Sequence, residues 1–257
     1  MSKIFLDNVS LTYYTYSSEV HALKDLSLKV NQGEFIGIVG PSGSGKSTLL
    51  SLVAGLLKPT KGNVYINGKE ITGVSKEINY MLQQDYLFGW RTILENCLIG
   101  PEIQGLNIND AKKKVINLLE TYGLKDFIHH YPNQLSGGMR QRVALVRTLA
   151  TNPSILLLDE PFSALDYQTR LMIEDEVSTI LRNEGKTVLL VTHDISEAIA
   201  MCDKIVVLSN RPAHIQAEHE VVFDRENLSN FKIRELPKFH EYFNTIWKEL
   251  HKDDKVI

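Results

Sequence analysis

The residues Gly40, Pro41, Ser42, Gly43, Ser44, Gly45, Lys46, Ser47 and Thr48 run consecutively and match the phosphate-binding pattern GxxxxGK[ST] at every position. Binding a polyphosphate requires backbone N–H groups turned inward around the anion. Glycines at 40, 43 and 45 permit that turn, because glycine takes positive φ without a steric cost. A helix beginning at the end of the loop aims its N-terminus at the same anion. Lys46 is placed to reach the β- and γ-phosphates of a nucleotide, the Ser47 hydroxyl to hold Mg²⁺, and Thr48 to add a further donor.

Phosphoryl transfer also needs a second metal ligand and a group that orients attacking water. Asp159 closes an apolar run over residues 154–159, and Glu160 follows it. Asp159 is positioned to bind Mg²⁺ directly or through water, and Glu160 to polarise the water that attacks the γ-phosphate. A second apolar run, residues 187–192, ends in His193-Asp194. Leu135-Ser136-Gly137-Gly138 opens a helical stretch, so Ser136 and the free N–H groups of Gly137 and Gly138 make another anion-binding helix terminus. Two such termini in one chain imply two phosphate contacts.

The elements that must position these residues are indicated by periodicity. Residues 34–39 are an apolar run suited to a buried strand, and residues 49–57 carry helix formers without a proline. Upstream, Ile4, Leu6, Val9, Leu11 and later Leu26, Leu28, Val30 nearly alternate, predicting an antiparallel sheet that residues 62–68 join. Tyr13, Tyr14 and Tyr16 end the first of these runs, and Tyr13 can offer a ring to a nucleotide base.

Between residues 69 and 149 the texture is helical. Residues 111–122 place Val115, Leu118, Leu119 and Tyr122 on one face, with Asn109 or Asp110 as N-cap and Gly123 as C-cap. A second helix is predicted from Ser136 through Arg140 to Ala150, stopped by Asn152-Pro153. This block, about residues 84–150, reads as a helical subdomain inserted into an α/β core. Runs at 154–159, 187–192 and 204–208 alternate with helical stretches at 167–184 and 195–201, so the main sheet is expected to be parallel and covered on both faces. Beyond Arg211 come an extended stretch at 216–223, a polar linker at 224–230, and helical spacing of apolar residues at 239, 243, 246 and 250, with Trp247 beside them. That last helix is expected to dock on the core.

A length of 257 residues with 43% hydrophobic and 23% charged residues fits a soluble α/β fold with a substantial interior. The net charge of −3 gives no basic bias, so nucleic acid is not an expected partner. Cys97 and Cys202 are far apart and near no His/Cys cluster, which suggests neither a zinc site nor a disulfide framework. Apolar runs are strand-length, short of the ~20 residues of a membrane span, and residues 1–4 lack the apolar core of a signal peptide.

With these residues in place, the chain resembles the nucleotide-binding subunit of ATP-binding cassette (ABC) transporters over roughly residues 3–212. Leu135-Ser136-Gly137-Gly138-Met139-Arg140-Gln141-Arg142 is similar to the family's LSGGQ-type signature loop, with Met139 at the variable final position. The resemblance implies an α/β P-loop ABC ATPase: a parallel RecA-like core sheet, an N-terminal antiparallel β subdomain and the inserted helical subdomain, all within residues 1–212. Residues 213–257 then form a C-terminal extension with a docking helix. It implies ATP and Mg²⁺ as ligands, Mg²⁺ being held by Ser47, Gln83 and Asp159, and a homodimer formed head to tail on ATP binding. In that dimer Ser136, Gly137, Gly138 and Gln141 contact the partner's ATP in trans. Gln83 matches the glutamine that reaches metal and water, His193 the switch histidine at the γ-phosphate, Glu160 the catalytic base, and Tyr13 the aromatic that stacks on adenine. Ser163-Ala164-Leu165-Asp166 matches the dimer-contact loop.

A narrower resemblance concerns the cargo. Residues 85–92, 161–166, 191–198 and 206–212 look most like the nitrate/sulfonate/taurine importer branch, which includes importers of bicarbonate and thiamine precursors. Gly89 stands where that branch has Pro, and Ser163 where it has Gly. The implied partners are membrane permease subunits, contacted near residues 83–90 with Phe88 and Trp90 as candidates, and indirectly an extracytoplasmic solute-binding protein. The implied location is the cytoplasmic face of the cell membrane. Alternatives are an exporter ATPase, a soluble ABC ATPase acting on ribosomes or DNA, and a nucleotide switch with negligible turnover. The branch motifs disfavour the first, the single cassette and acidic balance the second, and Asp159-Glu160 with His193 the third.

Overall fold

In β1 (Ser2–Tyr14) the residues Ile4, Leu6, Val9 and Leu11 are all buried, although Leu6 and Val9 are three apart and strict alternation would put them on opposite faces. A β-bulge resolves this: Asn8 adopts φ 50, and the register with β2 (Glu19–Asn31) shifts between Leu6↔Leu28 and Val9↔Leu26. The extra residue restores the apolar phase. The computed structural model describes residues 2–16, 18–225 and 227–252. The outer ends of the two expected domains, Met1 and residues 253–257, lie outside them.

The chain continues through β3 (Phe35–Val39), the glycine-rich turn and α1 (Lys46–Val53), then returns as β4 (Lys61–Ile66) and β5 (Lys69–Glu70). The first sheet is antiparallel, in the order β2-β1-β4-β5. Next come β6 (Ile78–Met81), α2 (Ile93–Gln104), α3 (Ile108–Thr121), α4 (Gly137–Leu149) and β7 (Ile155–Asp159). The chain closes with α5 (Tyr167–Asn183), β8 (Thr187–Val191), α6 (Ile195–Met201), β9 (Lys204–Leu208), β10 (Ile215–Glu220), α7 (Asn230–Arg234) and α8 (Pro237–Leu250).

The second sheet has the order β10-β9-β3-β8-β7-β6, parallel from β9 to β6. Its continuous apolar runs have a simple cause. In β7, Leu156 and Leu158 enter a core shared with α2, α3 and α4, while Ile155 and Leu157 enter the core shared with α1 and the antiparallel sheet. Both faces of the strand are buried, so no polar alternation remains. A third core joins α6, α7 and α8 to Val39, Ile205 and Val207, and Phe239 and Ile246 of α8 are buried in it.

Several boundaries differ from the sequence reading. Residues 78–81, within the stretch that reads as helical, form the edge strand β6, and α2 spans residues whose bounds the sequence pattern does not mark. The N-cap of α3 is Asn107 rather than Asn109 or Asp110, because its side chain accepts from the backbone N–H of both those residues. The first helix stops at Val53, short of residue 57. The edge strand β10 is antiparallel to β9, which makes the main sheet mixed, and the polar linker leads into α7.

Candidate functional site

Between β3 and α1 the chain turns through Gly43 at φ 76 and Gly45 at φ 101, values that an L side chain adopts only with strain. A Cβ at Gly45 would also stand 3.0 Å from Leu23 Cδ2, so the loop is packed against the antiparallel sheet. Gly45 is the N-cap of α1 and offers no side-chain acceptor, leaving the first N–H groups of that helix free for an anion. Lys46 folds over the loop and donates from Nζ to the carbonyls of Gly40 (2.8 Å) and Pro41 (2.9 Å). Burial pushes its ammonium below the usual lysine range, and Glu160 and Asp159 nearby oppose that shift. Ser44 Oγ is buried in the loop with no hydrogen-bond partner.

Asp159 is the last residue of β7, and at Glu160 the backbone takes φ 48 while its N–H donates to Val191 O (2.8 Å) on β8. The bend turns the Glu160 carboxylate into the cleft. There Oε2 accepts from Gln83 Nε2 at 3.1 Å and lies 3.3 Å from His193 Nδ1. Asp159 Oδ2 accepts from the Tyr80 hydroxyl at 3.2 Å. Burial raises the Asp159 carboxyl above its usual range, and hydrogen bonds from Ser47 and Tyr80 oppose the shift. Gly40, Ser42, Gly43, Gly45, Lys46, Ser47, Thr48, Gln83, Glu160, His193 and Arg211 line one cleft of about 420 Å³. A larger cavity, about 830 Å³, lies between α5 and residues 223–230, where Arg182 and Arg225 are already paired with Asp203.

The donor set fits a hard cation. The Ser47 hydroxyl, the Asp159 carboxylate and the Gln83 amide oxygen are all oxygen ligands, and among the described residues no cluster of three His, Cys, Asp or Glu side chains offers an all-protein metal site. Mg²⁺ is typically bound by one or two such protein oxygens with phosphate and water completing its shell. The unpartnered Ser44 hydroxyl and the free helix terminus fit a phosphate in the same way.

Other expected residues lie elsewhere. Tyr13 is half exposed at the mouth of the loop, and its hydroxyl is 3.1 Å from Thr48 Oγ1. Ser136 is the N-cap of α4 and accepts from Met139 N (3.3 Å), with Gly137 and Gly138 in the first turn. None of these three lines the phosphate-loop cleft of its own chain. The Gln141 side chain is 5% exposed, and within its own chain it donates to Glu160 O (3.1 Å) and accepts from Ala164 N (2.9 Å). Asp166 caps α5 by accepting from Thr169 N (3.0 Å).

Two residues, one lining the cleft and one beside it, carry no signal of their role in the sequence. Arg211, just beyond β9, donates from Nε to Gly43 O and lines the cleft. Tyr80 holds Asp159 from the neighbouring strand β6. Neither belongs to the loop motif; only the identification of residues 78–81 as a strand beside β7 would have pointed to Tyr80.

The segment after Gln83 is anchored to α4. Arg140 Nε donates to Asp85 Oδ2 (2.9 Å), and Arg147 donates to the carbonyls of Asp85 and Tyr86. Phe88 and Trp90 stack with ring centroids 4.9 Å apart, and Trp90 is 76% exposed. Among the described residues no helix is long and apolar enough to cross a membrane.

A sequence model described as ABC transporter matches residues 23–163. The chain is 47% identical over 255 residues to an uncharacterized ABC transporter ATP-binding protein, YtlC, of Bacillus subtilis, covering 99% of this chain and 98% of that one. It is 38% identical to the taurine import ATP-binding protein TauB of Roseobacter denitrificans, covering 96% and 95% of the two chains. It is 39% identical to the nitrate import ATP-binding protein NrtD of Synechocystis, covering 88% and 87%. Among solved structures, a dimeric post-hydrolysis state of the ATP-binding cassette MJ0796 bound to ADP and Pi superposes with a TM-score of 0.78 at 35% identity, covering 86% of this chain and 99% of that one.

Proposed function

The chain belongs to the ABC transporter family as an ATP-binding subunit, and from that premise we propose that it hydrolyses ATP to drive a membrane importer for a small anionic or zwitterionic solute of the taurine, sulfonate or nitrate kind. The observation that carries the ATPase reading is the convergence of Lys46, Ser47, Gln83, Glu160 and His193 on one cleft beside Asp159. The import direction and solute class are supported by the taurine and nitrate import relatives.

In this reading the phosphate chain of ATP lies along residues 40–48. Lys46 exchanges the Gly40 and Pro41 carbonyls for β- and γ-phosphate oxygens, and Tyr13 supplies a ring for the adenine. Ser47, Asp159 and Gln83 would hold Mg²⁺, which would supply positive charge beside the phosphate oxygens. Glu160 Oε2, oriented by Gln83 and His193, accepts a proton from water as that water's oxygen bonds to the γ-phosphorus and the bond to the ADP oxygen breaks. The second phosphate contact comes from Ser136, Gly137 and Gly138 of a partner copy. Phe88 and Trp90 offer an exposed aromatic pair to a permease subunit, and in this reading the protein works at the cytoplasmic face of the membrane.

Glu160→Gln keeps the side-chain size and removes the proton acceptor. ATP turnover is expected to fall by about 10²- to 10⁴-fold with ATP binding retained; turnover at the wild-type rate rules out Glu160 as the base. The importer reading is tested by recovering the tagged subunit from gently solubilised membranes. A permease should co-purify, with ATPase activity abolished by Lys46→Ala.

A further inference from the structure

Five charged side chains from three helices meet beneath the switch histidine, and the mechanism above uses none of them. Glu174 of α5 is fully buried and pairs with Arg234 of α7, Oε2 to NH2 at 2.6 Å. Asn230, at the start of α7, reinforces the contact by donating from Nδ2 to Glu174 O (3.2 Å) and from its backbone N to Asp175 Oδ1 (2.7 Å). One turn before Glu174, Arg170 points the other way. Its NH2 donates to Leu165 O (3.2 Å) in the dimer-contact loop, and its NH1 lies 3.6 Å from Asp194 Oδ2. Asp194 follows His193 and caps α6 by accepting from Ser196 N (2.8 Å) and Glu197 N (3.3 Å). Glu197 is 4% exposed, and its Oε1 has no partner. Burial first, and then Glu174, push its carboxyl well above the usual range. Two carboxylates, Glu174 and Asp194, face two guanidiniums, Arg234 and Arg170.

We propose that Arg234, in the segment that follows the nucleotide-binding core, is a positioning residue for catalysis: by holding Glu174 it leaves Arg170 to tie the Leu165-Asp166 turn to the His193-Asp194 turn. Positions 170 and 174 are i and i+4 on α5, the spacing at which opposite charges on a helix meet. Arg170 is thus the nearest replacement cation for Glu174. When Arg234 is removed, a fully buried carboxylate is left unpaired next to Glu197, a strongly unfavourable state. Arg170 then turns to Glu174 and releases both Leu165 O and Asp194. The dimer-contact loop and the switch histidine lose their common anchor, although no nucleotide-contacting residue has changed.

The proposal rests on the ATPase reading and is tested in the full-length chain with Arg234→Met, Glu174→Gln and the double variant. Arg234→Met is expected to lower kcat about tenfold with little change in KM for ATP. Glu174→Gln alone stays near wild type. The double variant recovers to within about twofold, because the neutral amide no longer draws Arg170 away. A merely structural role for Arg234 predicts no such rescue. Hydrogen exchange at residues 163–166 and 193–197 gives a second readout that needs no turnover: faster in Arg234→Met and restored in the double variant. Wild-type kcat in Arg234→Met, or a double variant as impaired and as fast-exchanging as the single one, overturns the proposal. If the wild-type chain hydrolyses no ATP, the ATPase reading fails, while the exchange data still decide whether Arg234 holds the two turns.

Discussion

At Glu160 the backbone sits in the left-handed region, a conformation that costs a non-glycine residue of order 1–3 kcal/mol and persists only where neighbours enforce it. The enforcement is visible: Glu160 N–H donates to Val191 O, and Glu160 O accepts from Ser163 Oγ (3.0 Å) and Gln141 Nε2 (3.1 Å). Gln141 also accepts from Ala164 N, so one buried amide fixes the proposed base and the loop after it together. Gln141→Leu leaves Glu160 O with one partner fewer and Ala164 N with none from this side chain, at a cost of about 1–3 kcal/mol. Steady-state kinetics should show kcat lowered with KM for ATP nearly unchanged, since Gln141 does not line the phosphate loop. Gln141→Glu, which keeps the acceptor for Ala164 N but loses the donor to Glu160 O, should fall between. Equal rises in KM and falls in kcat would instead show that Gln141 acts on nucleotide binding.

The elements show why part of this arrangement was legible beforehand and part was not. The phosphate loop, the Asp159-Glu160 pair and His193 follow apolar strands that are buried on both faces, and such runs stand out in a sequence because nothing polar interrupts them. β6 has no such run. Its four residues, Ile78-Asn79-Tyr80-Met81, are buried at the two ends and part-buried between them, without alternation, and pair with β7 alone, so tertiary contact rather than local pattern makes them a strand. Tyr80 was missed for that reason. The inward placement of Gln141 is not legible in the sequence, because proximity to the signature residues says nothing of which face of α4 a side chain occupies. Helix α2 was hidden by Pro101 in its last turn and by a weak apolar periodicity. Its true signal was the capping box, in which Thr92 Oγ1 accepts from Glu95 N and Thr92 N donates to Glu95 Oε2 (2.7 Å).

The same helix organises the exposed aromatic pair. Asn96, fully buried, donates to the carbonyls of Phe88 (3.1 Å), Arg91 (3.0 Å) and Thr92 (3.0 Å), and its Oδ1 accepts from Phe88 N (2.8 Å). The loop bearing Phe88 and Trp90 is thus tied to α2 by this amide and by Arg91, whose NH1 donates to Glu102 Oε2 (2.8 Å), and residues 85 and 86 are tied to α4 by Arg140 and Arg147. Asn96→Leu fills the volume and frees the loop. Permease co-purification is expected to drop severalfold, while ATP binding by the isolated subunit is unchanged. Retention of permease at the wild-type level would show that the stacked pair is not the docking element.

For the molecule as a whole, the arrangement of the two anion-binding helix termini is decisive. The cleft at residues 40–48 is lined on one side by Gln83, Glu160, His193 and Arg211 and receives nothing from residues 136–138. Gly138 is packed inward, where an added Cβ would lie 3.1 Å from Leu165 Cδ2, so the turn of α4 cannot reach across its own chain without dismantling that contact. In the function proposed above, the free N–H groups of that terminus meet the phosphates held by a second copy. Dimerisation should therefore depend on the nucleotide and on residue 136, but not on affinity for ATP within one chain. In Glu160→Gln with ATP, sedimentation is expected to give twice the monomer mass, and ADP should leave the protein monomeric. Adding Ser136→Arg, which fills the terminus with a bulky side chain and removes the N-cap acceptor, should abolish the dimer while ATP still binds the monomer. Removal of the cap alone costs about 1 kcal/mol, so a folded variant is expected, and circular dichroism checks it. A dimer that persists in that variant would mean that the copies associate through another face, and that the terminus of α4 does not close on a neighbour's phosphates.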